Sequence, residues 1–477
     1  MNRFAGVTRN IAIMSVGILV NKATGAVLFI VVARYLGEVG LGRYAFANSF
    51  ANLFAVLSDL GLSTLAIRAV AQDRGLTEKY LGNIGILRTL LASVAFGLTG
   101  VAIIATGVPD DKAPLVWLLA VATCSIAIGN GVRWSFQALQ KLQYESILTA
   151  GYSILMLAGG TLILFMGYGV FEFTAIHMIL SVLTCGLAFI LTVTRIARPV
   201  LEMDVAFCRS LIRQAGPFIA ILCFSTICFN IDTVILGFLA GDAETGRYNA
   251  AYRIVLMVRI IPGIFQFASF PVMVETAGAL TGDFVRVVSR SPRYMIILAL
   301  GIGLLVTFFA ELLILIYGAA FSEAAPILKV LIWMSFFYFT TNVANNVVFS
   351  LHQERVLVKI GLISLLINLT LNAVLIPEWG GMGAAWAILA SEGVACALVL
   401  SHLSRNLDTL ALRPLLARPG VAAFMTMLAV FALRDVNPFV SMGSAALIYT
   451  IMLIVVRAIP DNDLKLVWAY VKGGPRG

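Results

Sequence analysis

Long apolar stretches alternate with short polar segments along nearly the whole chain. The stretch from Phe439 to Ile459 carries no charge before Arg457, and the stretch from Gly216 to Leu239 carries only Asp232. Each is long enough to cross the roughly 30 Å hydrocarbon core of a bilayer as a helix. Because backbone polar groups in lipid must be bonded within their own segment, the pattern predicts helices. We therefore expect an all-α polytopic membrane protein with about 14 transmembrane helices.

The ends of the apolar stretches set the bounds of the predicted helices. They cover residues 10–35, 44–65, 81–106, 113–137, 147–166, 173–194, 214–239, 248–274, 294–317, 326–351, 356–376, 382–403, 415–433 and 439–459. Composition agrees, since 60% of the residues are hydrophobic and only 12% are charged, against about 25% charged in a soluble domain. None of the six cysteines forms a Cys-x-x-Cys pair. We therefore expect the cysteines to behave as small apolar side chains and predict no metal site.

Basic residues are concentrated in every second loop. The even-numbered loops carry Arg68, Arg74, Lys79, Arg133, Lys141, Arg195, Arg198, Arg209, Arg213, Arg286, Arg290, Arg293, Arg355, Lys359, Arg405, Arg413 and Arg418. The odd-numbered loops are short and poor in basic residues, and the first of them, with Arg34 and Arg43, is the exception. Since Lys and Arg resist translocation, we expect both termini in the cytoplasm. The net charge of +9 thus reflects membrane topology, and without basic runs that include aromatic residues we predict no nucleic-acid partner.

Two sequence motifs recur six predicted helices apart. Tyr35–Gly37 leads to Gly42–Ala47 after the first helix, and Phe238–Ala240 leads to Gly246–Ala251 after the seventh. Since six is an even number, both halves cross the membrane in the same direction, which predicts a parallel repeat about an axis along the membrane normal. We expect a first lobe at residues 1–194, a cytoplasmic linker at 195–213, a second lobe at 214–405, and two further helices with a cytoplasmic tail at 406–477.

The order of several short motifs resembles a known family. These motifs are Ala33–Gly37, Gly42–Tyr44, Pro217, Asn230–Asp232, Leu236–Gly237 and Gly380–Ala385. Together with the two lobes, they resemble the Wzx-like polysaccharide-transport flippases of the multidrug/oligosaccharidyl-lipid/polysaccharide (MOP) flippase superfamily. The resemblance implies a multi-pass protein of the bacterial inner membrane that translocates polyprenyl-pyrophosphate-linked oligosaccharides for O-antigen, capsule or exopolysaccharide synthesis. A polysaccharide polymerase and chain-length proteins are the protein partners that this role implies.

Several ionisable residues fall at mid-membrane depth, where a charge costs about 2.5–3.5 kcal/mol by insertion scales. Lys22 and Asp59 are nearly equidistant from the first loop, so they can pair across two helices or line a hydrated cavity. Asp232 and Arg253 are matched in the same way around the loop between helices seven and eight. For Asp232 the alternative to pairing is binding of a coupling ion, with Glu392 and Asp59 as further candidates. We expect no cofactor other than H⁺ or Na⁺ in that role.

Arg259 is the main candidate for binding cargo. It lies about 11 residues into helix eight, hence roughly 16 Å deep. Tyr252, Arg259 and Gln266 are spaced seven apart and share one helix face, and Pro262 just beyond can open the helix locally. A guanidinium matches pyrophosphate oxygens in a bidentate way, so Arg259 would bind the pyrophosphate, with Lys22 and Arg253 as further cavity candidates.

Uncharged polar residues also form stripes on the predicted helices. Asn48 and Asn52 share a face of helix two, and Asn342 and Asn346 share a face of helix ten. Such amides either bond neighbouring helices or bind sugar hydroxyls. Arg88 and Arg133 lie near the cytoplasmic ends of their helices, so we expect their charged groups to extend to the membrane surface.

Three other function classes compete with the flippase. A cation-coupled multidrug exporter of the same superfamily would need acidic or aromatic cavities, and here the deep basic and deep acidic residues are equal in number. A membrane enzyme would need reactive groups, usually in a sizeable outer loop, whereas no outer loop exceeds about a dozen residues. The chain has no GxxxxGK[ST] sequence for ATP hydrolysis. A purely structural scaffold would not need charges at mid-membrane depth. We therefore expect a transporter and not an enzyme.

Overall fold

The computed structural model describes residues 2–58, 61–200, 202–266, 282–351, 353–406, 412–432 and 438–458. The described chain is built from α-helices with short 3₁₀ turns, which confirms the predicted all-α membrane fold. The helices are α1 (Asn2–Ala55), α2 (Leu62–Gln72), α3 (Thr77–Thr106), α4 (Ala113–Ala138), α5 (Leu142–Phe165), α6 (Val170–Arg195), α7 (Val205–Leu239), α8 (Asp242–Val258), α9 (Gly282–Phe308), α10 (Ala310–Ile314), α11 (Ala324–Leu331), α12 (Met334–Ser350), α13 (Glu354–Asn406), α14 (Leu412–Ala432) and α15 (Pro438–Val455).

Two helices contain a glycine at which the backbone leaves the helical conformation. A straight helix with the 54 residues of α1 would be about 80 Å long, far more than a bilayer core needs. In α1 the break is at Gly37, with φ 64°, and in α13 it is at Gly380, with φ 51°. These left-handed values suit glycine because it has no Cβ. Each long helix therefore contains two of the predicted transmembrane helices.

Within the described part of the chain, eight helical stretches are long and apolar enough to span a membrane. The number rises to nine if the bent pair Ala319–Leu331 and Met334–Ser350 is one span. Two of the eight, Gly17–Ser58 and Glu354–Arg405, contain the glycine breaks. The expected total of about 14 is compatible with this arrangement and stays a prediction.

The described residues form two compact units. The first draws on residues 1–250, 316–321 and 365–384, and the second on residues 251–315, 322–364 and 385–477. Each has its own apolar core. One core of the first unit packs Phe46 and Phe50 against Leu119, and the core of the second packs Ile297 against Tyr449. The predicted lobes and linker stay a prediction.

Arg88 is a correction to the sequence-based expectation. We expected its charged group at the membrane surface, but the residue is 0% exposed. Its guanidinium donates to the hydroxyl of Ser63 at 2.8 Å and to the carbonyl of Ala127 at 3.2 Å. Space for the side chain exists because Gly131, whose Cβ would lie 3.0 Å from Arg88 Cδ, has no side chain. Arg88 therefore joins α2, α3 and α4 from inside the first unit.

Candidate functional site

The two copies of the sequence repeat exchange ion pairs within the first unit. Arg43 of the first copy binds Asp242 of the second, with Nε 2.9 Å from Oδ2. Arg247 of the second copy binds Glu38 of the first, with Nε 2.8 Å from Oε2. In each copy the acid precedes the arginine by five positions. We call these four residues the reciprocal clasp, because each arginine binds the acid of the other copy.

Two glycines let the backbones of the repeats approach each other. A Cβ on Gly42 would lie 1.8 Å from the carbonyl oxygen of Asp242. A Cβ on Gly246 would lie 2.0 Å from the carbonyl oxygen of Glu38. Real Cβ atoms cannot come so close, so only glycine fits at either position. The recurring Gly-Arg pair thus supplies both the close approach and the charge of the reciprocal clasp.

Further charges stabilise the reciprocal clasp. Asp111 lies 3.0 Å from Arg43 Nη2. Lys112 Nζ lies 2.6 Å from Asp242 Oδ1 and also donates to the carbonyl of Gly237 at 2.8 Å. Arg43, one of the two basic residues of the exceptional first loop, is therefore matched by carboxylates. A charge matched in this way is less costly to place away from the cytoplasm than an isolated one.

The glycine motif that begins at Gly380 contacts the second copy of the repeat. Glu244 accepts a hydrogen bond from the backbone N–H of Gly381 at 3.0 Å and pairs with Arg247 Nη1 at 3.0 Å. Glu244 thus links the break at Gly380 to the reciprocal clasp. Motifs that are far apart in the sequence come together at one place in the first unit.

Asp232 is buried in the first unit among polar side chains. The residue is 1% exposed. Its Oδ2 accepts a hydrogen bond from Tyr248 Oη at 3.0 Å, and its Oδ1 accepts one from Asn372 Nδ2 at 2.5 Å. Asn372 also donates to Asn368 Oδ1 at 3.2 Å. This arrangement gathers several oxygen atoms around one buried carboxylate. The pairing of Asp232 with Arg253 stays a prediction.

Arg259 belongs to the second unit and lies where a helix is interrupted. Helix α8 ends at Val258, Arg259 occupies a turn, and a helix resumes at Ile260. The interruption expected near Pro262 is therefore present, and its cause is the missing N–H of proline in the first turn of the new helix. The Arg259 guanidinium carbon lies 3.5 Å from the centre of the Tyr338 ring. Glu392, a sequence candidate, also belongs to the second unit and lies within electrostatic range of Arg259.

The other amide and tyrosine candidates of the second unit are buried or partly buried. Gln266 Nε2 donates to Asn346 Oδ1 at 2.7 Å. The predicted polar face of helix eight therefore contacts the predicted amide stripe of helix ten. The Oδ1 atom of Asn342 is buried and has no protein hydrogen-bond partner among the described residues. Tyr252 is 6% exposed. Buried amides of this kind can bond a neighbouring helix, as Gln266 does, or receive a ligand.

The candidates in the first two predicted helices are only partly described. The side chain of Lys22 is exposed on α1. Asp59 lies outside the described residues, so its pairing with Lys22 stays a prediction. Asn52 Nδ2 donates to the backbone carbonyl of Asn48 at 2.8 Å, a bond within one helix. Among the described residues, no hydrogen bond joins these two amides to a neighbouring helix, and their role stays a prediction.

Sequence reasoning missed a cavity in the first unit, among α1, α4, α5 and α6. Its volume is about 150 Å³, and Arg133, Thr149 and Tyr152 are among the lining residues. The expectation that Arg133 extends to the membrane surface was wrong, because Glu145 Oε1 lies 2.5 Å from its Nη2 and holds it inside. The signal in the sequence was a carboxylate 12 positions after the arginine, across a short loop.

A family model and two curated proteins match parts of this chain. A family model described as "Polysaccharide biosynthesis protein" matches residues 7–277. The chain is 22% identical over 247 residues to Agl15, a probable low-salt glycan biosynthesis flippase of Haloferax volcanii, covering 49% of this chain and 52% of that protein. It is 26% identical over 214 residues to AglR, a probable flippase of the same organism, covering 44% of each. The chain thus spans about half the length of the curated relatives it matches.

Solved structures show the same fold. The lipid II flippase MurJ in an inward closed conformation is similar over 94% of this chain and 99% of its own, with a TM-score of 0.74 and 14% identity. An inward-facing multidrug resistance MATE family transporter of the MOP superfamily is similar over 80% and 94%, with a TM-score of 0.67 and 12% identity. The fold of this chain is thus similar to that of these two transporters. Since the family model matches more than half of the residues, the chain belongs to the polysaccharide biosynthesis protein family.

Proposed function

We propose that this protein is a flippase that moves polyprenyl-pyrophosphate-linked oligosaccharide units across the bacterial inner membrane for O-antigen, capsule or exopolysaccharide synthesis. Family membership supports the cargo class, since the matching family is one of polysaccharide biosynthesis. The likeness to a lipid II flippase supports the fold for such transport. The two curated relatives are likewise named as probable flippases.

The position of Arg259 is the main structural support for the proposed cargo. The cargo consists of a glycan, a pyrophosphate and a polyprenyl tail, and only the tail is compatible with lipid. The pyrophosphate therefore needs a cation within the membrane. Arg259 lies at a helix break, with its guanidinium carbon 3.5 Å from the centre of the Tyr338 ring. The pyrophosphate would bind the planar guanidinium in a bidentate way.

The reciprocal clasp supports transport by alternating access. Its four residues come from loops that the charge pattern assigns to the periplasmic side. With both pairs formed, at 2.9 and 2.8 Å, the repeats are joined at that end. In the proposed cycle, the lobes rock about a shared cargo site, and these pairs break and become hydrated when that end opens. Ion pairs suit this role because water can replace each partner.

Asp232 is the proposed coupling site, with Glu392 as the second candidate. Binding alone cannot drive net export, so a gradient of H⁺ or Na⁺, or consumption of the product outside, must do so. The oxygen atoms of Asp232, Tyr248 and the neighbouring amides offer hard ligands of the kind that such cations take. A cation bound there would add to the groups that stabilise this buried carboxylate.

Complementation of cells that lack the native protein tests the proposal. Arg259→Ala should abolish surface polysaccharide while the protein still reaches the membrane. Arg259→Lys should keep some activity, because it preserves the charge but loses the bidentate fork. The matched control is Arg355→Ala, which removes an exposed arginine of a predicted cytoplasmic loop. Normal polysaccharide from well-expressed Arg259→Ala protein would remove Arg259 from the mechanism.

A multidrug exporter is the second candidate function. The Tyr338 ring and the Glu392 carboxylate near Arg259 are the kinds of group that attract organic cations. Expression in a drug-sensitive strain separates the two functions. The flippase proposal expects unchanged susceptibility to cationic drugs, whereas resistance that depends on Glu392 would favour the exporter.

A further inference from the structure

The cavity among α1, α4, α5 and α6, here called the first-unit cavity, is the right size for one compact ligand. Its volume is about 150 Å³, whereas one water needs roughly 10–15 Å³ by the same kind of measure. The cavity thus has room for about ten waters or one ring-sized molecule, and not for a whole oligosaccharide. Neither Asp232 nor the reciprocal clasp is among its lining residues.

The charge that lines the first-unit cavity is already compensated. Arg133 Nε and Nη2 bind the two carboxylate oxygens of Glu145 at 3.0 and 2.5 Å, and Nη2 also donates to Thr149 Oγ1 at 2.7 Å. A phosphate would have to displace Glu145 to gain this guanidinium, and would leave a carboxylate with 16% of its side chain exposed without its cation. The first-unit cavity therefore disfavours an anion.

The hydrogen-bonding groups of the first-unit cavity favour a ligand with hydroxyl donors. Ser181 Oγ donates to the carbonyl of His177 at 2.8 Å, and Thr184 Oγ1 donates to the carbonyl of Leu180 at 2.7 Å. Each hydroxyl thereby uses its hydrogen, while its oxygen keeps lone pairs that accept. Phosphate oxygens are acceptors and gain nothing from such groups, whereas sugar hydroxyls can donate to them.

The remaining lining residues fit the apolar faces of a sugar. Tyr152 supplies an aromatic wall, and Ile126 and Leu148 supply aliphatic surface. A wall that is largely apolar, with a few placed polar groups, is typical of small-ligand sites. We infer that the first-unit cavity binds one uncharged sugar ring of the glycan cargo. This inference rests on the flippase function proposed above and adds a glycan subsite to it.

Cys185 lines the first-unit cavity and can report its occupancy. The experiment uses the full-length protein in lipid nanodiscs, with Cys185 as the single cysteine, and follows its alkylation by N-ethylmaleimide. The probes are methyl glycosides of hexoses and N-acetylhexosamines, inorganic pyrophosphate, and a short polyprenyl phosphate. At least one glycoside should slow the alkylation several-fold, and pyrophosphate should not. A matched protein that keeps only Cys124, which does not line the cavity, should show no protection.

Removal of the Thr184 hydroxyl tests whether the wall of the first-unit cavity binds the sugar. Thr184→Val should raise the glycoside concentration needed for protection about five- to tenfold, the loss expected for one hydrogen bond. Thr194→Val is the control, because Thr194 is an exposed residue of the same helix with the same bond to its own backbone. Equal effects of both variants would contradict the sugar subsite.

The outcomes separate this inference from the proposed function. Cells that make surface polysaccharide, combined with no protection by any glycoside, would overturn the subsite and leave the flippase standing. Protection by pyrophosphate or by polyprenyl phosphate alone would also overturn it, because the cavity would then take another part of the lipid-linked cargo. Protection by glycosides in a protein that fails to support polysaccharide export would confirm a sugar site and count against the flippase.

Discussion

Tyr248 donates a hydrogen bond of 3.0 Å to the carboxylate of Asp232, and both residues are 1% exposed. Tyr248 directly follows Arg247, whose guanidinium binds Glu38 in the reciprocal clasp. One residue of helix α8 therefore separates a buried acid from an ion pair between the repeats. Tyr248 therefore connects the buried acid to the part of helix α8 that carries Arg247.

If the reciprocal clasp closes the periplasmic end as proposed, loss of one of its pairs should open that end. Arg247→Gln removes the cation that binds Glu38 and Glu244. A cysteine introduced at Phe50, seven positions beyond Arg43 along α1 and 3% exposed, should then react several-fold faster with a membrane-impermeant maleimide added outside cells. Arg34→Gln is the control, since the exposed Arg34 bonds a backbone carbonyl. Identical rates in the two variants would show that the pair does not hold this end closed.

Gly246→Ala should destabilise the protein by steric conflict alone. Gly246 lies in helix α8, where alanine is otherwise favoured, but its Cβ would lie 2.0 Å from the carbonyl oxygen of Glu38. Overpacking of this kind costs about 1–3 kcal/mol, so the melting temperature should fall in a thermal unfolding assay. Gly85→Ala, in open space on α3, should be neutral or stabilising by roughly 0.5–1 kcal/mol. Equal melting temperatures would mean that α1 at Glu38 and α8 at Gly246 are not in contact.

Asp232→Asn should uncouple transport from its driving gradient. Asparagine can still accept from Tyr248 but carries no charge to be neutralised by a cation. In proteoliposomes we expect loss of accumulation against a concentration difference, while exchange of cargo at equal concentrations continues. Glu392→Gln provides the comparison for the second candidate. Full gradient-driven accumulation by the Asp232→Asn protein would exclude this residue as the coupling site.

The predicted topology places both termini in the cytoplasm. A reporter that is active only in the periplasm, fused after Gly477, should therefore be silent. The same reporter inserted between Asp110 and Asp111, in a predicted outer loop, is the matched positive control. Strong activity after Gly477 would mean an odd number of transmembrane helices and would contradict the parallel repeat.

Much of the fold follows from local sequence. Apolar stretches of bilayer length predict the helices because the bilayer leaves the backbone no other bonding partners. The interruption at Arg259 was expected from Pro262, which lacks an N–H. The recurring Gly-Arg pair was visible as a repeat, although the sequence did not show that the two copies touch. Contacts between residues 199 and 209 positions apart, as in the reciprocal clasp, depend on how helices pack.

The errors at Arg88 and Arg133 have one physical cause. Both arginines lie near helix ends, where a long side chain can reach the membrane surface. Which direction it takes depends on the partners inside: a hydroxyl and a carbonyl for Arg88, and a carboxylate for Arg133. Of these, Glu145 stood close in the sequence, whereas Ser63 and Ala127 belong to helices on either side of α3. The first-unit cavity was missed for the same reason, since four helices contribute to its wall.

The reciprocal clasp has the form of a contact between two identical chains. Residue i meets residue j, and the counterpart of j meets the counterpart of i, as in a two-fold symmetric dimer. A half-length chain with one acid, one glycine and one arginine could make both pairs by self-association. When two such halves are joined in one polypeptide, the sequence of each repeat can change independently of the other. The acid is glutamate at 38 and aspartate at 242, and among the described residues a lysine, Lys112, pairs with the aspartate and none pairs with the glutamate.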